Sequence, residues 1–234
     1  MDASSGKTLI LSWNVWSIQN QEKLQNFLQI LDDMNVGVAC VCETWFDAKS
    51  GAFSRMIKES QYELHHDVRG KRRGGGVAIM YKKHLAVKEG YASCSQYSSF
   101  EYSYIFITLH SNLRIVLACV YRKQEVPFNS FCDEIQVFLE KIMFKGDALL
   151  LVGDFNVWVD DEDDLNAKHM MTVMNALGLN QQVVGPTHRD GHTLDQIYVN
   201  EFQLYIKHLV MKETLGLTTD HYPITIEVPA CNKQ

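Results

Sequence analysis

The stretch Ala148-Leu149-Leu150-Leu151-Val152-Gly153-Asp154-Phe155-Asn156 decides how the chain is read. Its five leading apolar residues are too few for a buried helix and suit a strand covered on both faces. Gly153 breaks the run, and Asp154 and Asn156 stand just beyond it. The same arrangement recurs elsewhere. Asn14 follows Leu9-Ile10-Leu11-Ser12-Trp13, and Glu43 follows the run from Val36 to Cys42. Asp195 lies in Thr193-Leu194-Asp195-Gln196-Ile197, and Asp220-His221 precedes Tyr222-Pro223-Ile224. Strand ends are rigid platforms whose following loops carry chemistry. One carboxylate at such a place suits a turn or a cap. Several, with Asn and His among them, are harder to explain by turn chemistry alone.

Working outward, strand and helix signals alternate along the whole chain. Strands are expected at Thr8 to Trp13, Val36 to Cys42, Gly76 to Tyr81, Leu194 to Val199 and Tyr222 to Val228. Tyr102 to Leu109 and Leu113 to Tyr121 form a hairpin across the short polar turn His110-Ser111-Asn112. Leu24, Phe27, Leu28 and Leu31 at helical spacing predict a helix over Glu22 to Met34. Further helices are expected at Phe131 to Phe144 and Asn166 to Leu177, the latter stopped by Gly178. With no internal repeat and no linker, this predicts one domain over residues 1–234, its ordered core about 8–229. Strands with interspersed helices and hairpins suggest a layered α/β sandwich around two sheets.

Composition narrows the function classes. A hydrophobic content of 46% over 234 residues supports a sizeable core. No apolar run is long enough to span a bilayer, and the N-terminal apolar run is too short for a signal peptide. The six cysteines suit neither a disulfide framework nor a zinc site, so they read as reduced residues of a cytosolic or nuclear protein. A net charge of −6 argues against a pure phosphate clamp and fits an enzyme that uses carboxylates to hold metal ions. Any DNA-binding face must then be local, and Arg69, Lys71, Arg72 and Arg73 form the best basic run. Neither G-x-G-x-x-G nor a Walker loop is present, so no nucleotide cofactor is indicated. The Asp160-to-Asp164 run lacks the alternation and central glycine of a calcium loop and reads as solvated.

The strand-end residues suit phosphodiester hydrolysis. Magnesium binds through one or two carboxylates, waters and phosphate oxygens. A carboxylate near an attacking water accepts its proton, and a His with a carboxylate partner holds or donates to the phosphate. Each residue also has a plainer reading. Asn14 suits a turn, Asp154 and Asn156 an Asx-turn, Asp195 a buried ion pair, and His221 a satisfied structural role. The ordered set carries the inference.

Ser12-Trp13-Asn14-Val15, Cys42-Glu43-Thr44-Trp45, Gly153-Asp154-Phe155-Asn156 and Asp220-His221, in this order, resemble the endonuclease/exonuclease/phosphatase superfamily. The resemblance runs from about Leu9 to about Val228. Gly74-Gly75-Gly76-Val77-Ala78-Ile79, Ser98-Ser99-Phe100-Glu101-Tyr102 and Pro186-Thr187-His188 with Gly191-His192-Thr193-Leu194-Asp195 are most similar to the apurinic-type endonuclease domains of LINE-type non-LTR retrotransposons. Such domains nick target DNA and leave a 3′-hydroxyl that primes reverse transcription.

The resemblance implies a four-layered, deoxyribonuclease I-like α/β sandwich and a Mg2+ cofactor for which Mn2+ substitutes. It places the metal on Glu43 with Asn14 beside it and Asp220 near. Asp154 orients or deprotonates the water, Asn156 holds the phosphate or that water, and Tyr121 contacts the scissile phosphate. His221, oriented by Asp195, stabilises the pentacovalent state. Thr187 falls at the DNA-facing rim, with Arg122 and Thr219 as further DNA contacts. The implied partners are double-stranded DNA and the reverse transcriptase domain of the same polyprotein, with no membrane. The isolated domain is expected to be a monomer, acting in the nucleus after synthesis in the cytoplasm. Thr219 stands where Ser is usual, Arg122-Lys123-Gln124 where repair enzymes continue Pro-Asn, and Trp16 where retrotransposon relatives often carry Arg. Alternatives are an abasic-site repair endonuclease, a small-phosphoester or lipid phosphodiesterase, and a catalytically dead binding module.

Overall fold

The structure, a computed structural model, describes residues 7–47, 49–67, 74–108, 112–200, 204 and 206–229. The basic run at 69–73 and Cys231 therefore lie outside the described residues.

Two six-stranded sheets pack face to face, with helices outside each. The first sheet is built on β1 (Lys7–Asn14) and β2 (Val38–Cys42), which run parallel and are joined by the crossover helix α1 (Gln21–Asp33). After helix α2 (Gly51–Glu59) come β3 (Tyr62–His66) and β4 (Val77–Lys82), both antiparallel additions on the β2 side. The second sheet opens with β5 (Val87–Ser93), β6 (Phe100–Thr108) and β7 (Arg114–Arg122). It repeats the parallel crossover: β7 is joined through helix α3 (Phe128–Ile142) to β8 (Ala148–Asp154). Helix α4 (Leu165–Ala176), β9 (Asn180–Gln181) and β10 (Asp195–Val199) complete that side, and β11 (Lys207–Val210) and β12 (Ile224–Pro229) return to the first sheet. The strand orders are β11-β12-β1-β2-β4-β3 and β5-β6-β7-β8-β10-β9.

The period-2 side-chain alternation of a strand sorts the apolar residues into layers. On β8, Ala148, Leu150 and Val152 enter the core between the sheets, and Leu149 and Leu151 pack under α3 and α4. On β2, Val38, Cys40 and Cys42 face the inter-sheet core, and Ala39 and Val41 face α1 and α2. The result is a four-layered α/β sandwich, as the resemblance implied. The predicted strands, the antiparallel pairing of β6 with β7 and three helices are present with ends displaced by a few residues, and Leu109, His110 and Ser111 of the predicted hairpin lie outside the described residues. The sequence reading passed over α2, β3, β5, β9 and β11. These are short or polar, and α2 buries only Ile57. The described cysteines Cys40, Cys42, Cys94, Cys119 and Cys132 carry free thiols.

Candidate active site

Parallel strands in one sheet place their carboxyl ends at the same edge, and loops there collect functional groups. Asn14 ends β1, Glu43 follows β2, Tyr121 lies near the end of β7 and Asp154 ends β8. The residues missing from those ends are supplied by antiparallel neighbours, which start where the parallel strands stop. Asp195 opens β10 directly opposite Asp154, and His221 precedes β12, the partner of β1. Gly153 makes the exit from β8 possible. Its φ is +140°, and a Cβ there would stand 1.9 Å from the Val120 carbonyl oxygen.

These side chains form one continuous polar row. Glu43 Oε1 accepts from the Tyr121 hydroxyl at 3.0 Å and from Asn14 Nδ2 at 3.4 Å, and its Oε2 accepts from Trp45 Nε1 at 3.0 Å. Asn14 Nδ2 also donates to Asp154 Oδ2 at 2.9 Å. Asp154 Oδ1 accepts from the Asn156 N–H at 2.9 Å. His221 Nε2 lies 3.9 Å from Asp154 Oδ2, and its Nδ1 donates to Asp195 Oδ2 at 2.7 Å. Asp220 sits at the far end, 3.8 Å from His221 Nε2 and 3.4 Å from His188 Nε2. Asn14, Glu43, Asn156, Asp220 and His221 line an open cleft of about 580 Å³, and Asp154 and Asp195 are buried.

Burial sets the charge states. It pushes the Asp154 carboxyl up, to about 7, against the opposing pull of His221. Burial alone would lower His221, but the carboxylates of Asp195 and Asp154 outweigh it and raise the imidazole to about 10. Near neutral pH His221 is therefore a cation with Nε2–H available. Burial, reinforced by Glu43 and Asp154, keeps the Tyr121 phenol protonated.

The loops that carry these residues are strained. Trp16, Ser17, Glu43, Trp45 and Asn156 all have positive φ, between 44° and 75°. Each such non-glycine residue costs on the order of 1–3 kcal/mol and persists only when its surroundings enforce it.

Three residues expected to contact DNA are instead part of the framework. Thr187 is fully buried, and its hydroxyl oxygen accepts from the Leu194 and Asp195 N–H groups at 3.0 and 2.9 Å. It fixes the start of β10 and does not stand at the rim. Arg122 is also buried: its guanidinium lies over the Phe128 ring and donates to the Asn156 carbonyl. Thr219 donates to the Asn14 carbonyl and accepts the His221 N–H. Sequence reasoning missed Gln124, Trp158 and His188 at the cleft, whose loops carry no periodic signal. It also missed Lys23, whose ammonium donates to the carbonyls of Val15, Trp16 and Thr218.

Among the described residues, two groups of three His or carboxylate ligand atoms lie within 4.8 Å of one another: His188, Asp220 and His221, and Asp154, Asp195 and His221. His221 belongs to both groups, and its Nδ1 is already bonded to Asp195. The expected ligands Glu43, Asn14 and Asp220 are not adjacent. Glu43 and Asn14 stand at one end of the row and Asp220 at the other. The Glu43 carboxylate nevertheless fits a hard cation. It lines the cleft, all three donors to it are neutral, and among the described residues no Lys or Arg pairs with it.

A two-sheet sandwich that brings Asn, Glu, Asp, Asp and His together at its shared strand ends defines a phosphodiester hydrolase. The chain belongs to the endonuclease/exonuclease/phosphatase family, which it matches over residues 11–221. That family depends on divalent metal ions. No curated protein matches the sequence. Solved structures share the fold at low identity. The endonuclease domain of TRAS1, a telomere-specific non-LTR retrotransposon, is 18% identical with a TM-score of 0.74, over 97% of this chain and 100% of that one. The AP endonuclease LMAP from Leishmania major is 16% identical with a TM-score of 0.76, over 98% and 89%. The human Nocturnin catalytic domain is 16% identical with a TM-score of 0.67, over 95% and 93%.

Proposed function

We propose that the protein is a Mg2+-dependent endonuclease that nicks double-stranded DNA. It acts for a LINE-type retrotransposon and leaves a 3′-hydroxyl from which the reverse transcriptase domain of the same polyprotein extends. The observation that carries this reading is the unbroken row from Glu43 to Asp195 along one open cleft. Bound at Glu43 and Asn14, Mg2+ would supply charge neutralisation for the phosphate and the leaving oxygen. Asp154, raised to about 7, accepts the proton of the attacking water, held there by Asn14 and Asn156. The His221 cation, braced by Asp195, offers Nε2–H to the phosphate oxygen where charge develops. Tyr121 keeps its proton and orients Glu43. The fold shared with the TRAS1 domain supports the retrotransposon assignment. With it go action in the nucleus, no membrane, and a monomeric isolated domain.

A plasmid-nicking assay tests the proposal. Supercoiled plasmid is converted to open circles with Mg2+ or Mn2+ and not with EDTA. Glu43→Ala and His221→Ala lose at least about a hundredfold in rate. Absence of nicking by folded wild type in either metal overturns it in favour of small phosphoesters or a binding role.

A further inference from the structure

Two tryptophans line the cleft, and neither takes part in the polar row. Trp16 is 45% exposed and Trp158 is 46% exposed, an unusual cost for the largest apolar side chain. Each sits two residues beyond a polar residue of the row, Trp16 after Asn14 and Trp158 after Asn156. They leave different sheets, Trp16 from β1 and Trp158 from β8, and both line the cleft that Glu43 and His221 line.

The backbone that carries Trp16 and the ring of Trp158 are both held in place before any ligand arrives. Trp16 has φ of 44°, a conformation that bulky residues avoid. Its N–H is fixed to Asn14 Oδ1 at 3.1 Å and its carbonyl to Lys23 Nζ at 2.9 Å. The Trp158 indole lies flat on the His192 ring, with centroids 4.2 Å apart and planes 4° apart. That ring is clamped in turn: His192 Nδ1 is 3.1 Å from Asp160 Oδ2, and Asp160 Oδ1 accepts the Thr193 N–H at 2.6 Å. The stacked Trp158 indole loses little rotational freedom when a flat ligand settles on it.

We propose that Trp16 and Trp158 are stacking platforms for the bases on either side of the scissile phosphate, and that they determine which DNA is cut. This rests on the nuclease reading and deepens it. Every base offers a π-face, so stacking tolerates sequence but requires that a base leave the helical stack. The favoured substrate is then a duplex with an unpaired or easily unstacked nucleotide at the nick. Stacking also supplies affinity that a chain of net charge −6 cannot draw from phosphate contacts alone.

The test has two arms. In the first, an oligonucleotide with a non-hydrolysable phosphorothioate at the cut site is titrated while tryptophan fluorescence is followed. Quenching that saturates in wild type, halves in Trp16→Phe and in Trp158→Phe, and nearly vanishes with a base-free backbone of equal charge supports stacking. Equal quenching by the base-free backbone, or none by either, overturns it. In the second arm, nicking of a duplex with one unpaired nucleotide is compared with a fully paired one. Trp16→Ala and Trp158→Ala raise KM for the former by about tenfold or more, with the effect on KM and not on kcat, and Phe at either position restores most of it. An unchanged KM in both variants overturns the inference while the nuclease reading stands. Base-dependent quenching without nicking does the reverse.

Discussion

The two sheets furnish the cleft in opposite ways. The first sheet offers a partly open side, where Asn14 is buried but Glu43 is only half-buried. Asn14 and Glu43 lead from β1 and β2 into strained, positive-φ loops, and Glu43 reaches the cleft with only neutral donors around it. The second sheet offers a closed side. Asp154 and Asp195 face each other across an antiparallel pair, each 1% exposed, with His221 held between them. A half-buried carboxylate that lines the cleft, as Glu43 does, remains free to take a cation from solution. A buried pair has no water to screen it, so it must hold a proton or a cation of its own. One site thus contains a ligand-binding half and a proton-handling half, and the split follows from which strands end in solvent and which pair edge to edge.

The comparison breaks or sharpens most readily on the closed side. Asp195→Asn leaves His221 without its buried partner, and kcat should fall by about 10³- to 10⁴-fold. NMR should show the His221 titration moving from about 10 toward 6.5. If Glu43→Gln proves the more damaging of the two, the closed side is not the dominant half. We expect that substitution to cost about a hundredfold at fixed Mg2+, recovered in part as Mg2+ is raised, because water can replace a ligand on the open side. Half-saturation by Mg2+, measured in both variants, should move in Glu43→Gln and stay put in Asp195→Asn.

The pH dependence of stability follows from the closed side alone. The folded-state value of His221 is raised above its ordinary 6.5 to about 10. Its contribution is fully present below about 6.5 and is lost as pH rises through 10. Asp154 is raised from 3.8 to about 7, so burial favours its protonated form, and that contribution is lost as pH rises through 7. Urea midpoints should fall from pH 6 to pH 10, and His221→Asn should flatten the upper half of that decline. Thr187→Val strips two buried N–H groups at β10 of their acceptor, and should cost roughly 2 kcal/mol with some loss of activity. Far from the cleft, Asn20→Ala removes the cap that accepts the Glu22 and Lys23 N–H groups. It should cost about 1 kcal/mol in urea unfolding and leave nicking unchanged.

Much of this was legible in the sequence, because its signals are local. Short apolar runs ending in Asn14, Glu43 or Asp154, and one opening at Asp195, announce strands with polar tips, and the helical spacing from Leu24 to Leu31 announces α1. Elements without such a contrast, α2 and the edge strands β3, β5 and β11, were invisible because tertiary packing and pairing hold them in place. The order of the polar tips identified the family. Their roles depended on pairing. Parallel β1–β2 and β7–β8 bring four tips to one edge, and the antiparallel partners β10 and β12 add Asp195 and His221 from far along the chain. Nothing in the neighbourhood of Thr187 or Arg122 in the sequence distinguishes a DNA contact from a buried brace. Only the folded chain decides, because burial and the direction of a hydrogen bond are set by which distant segments come to lie against the residue.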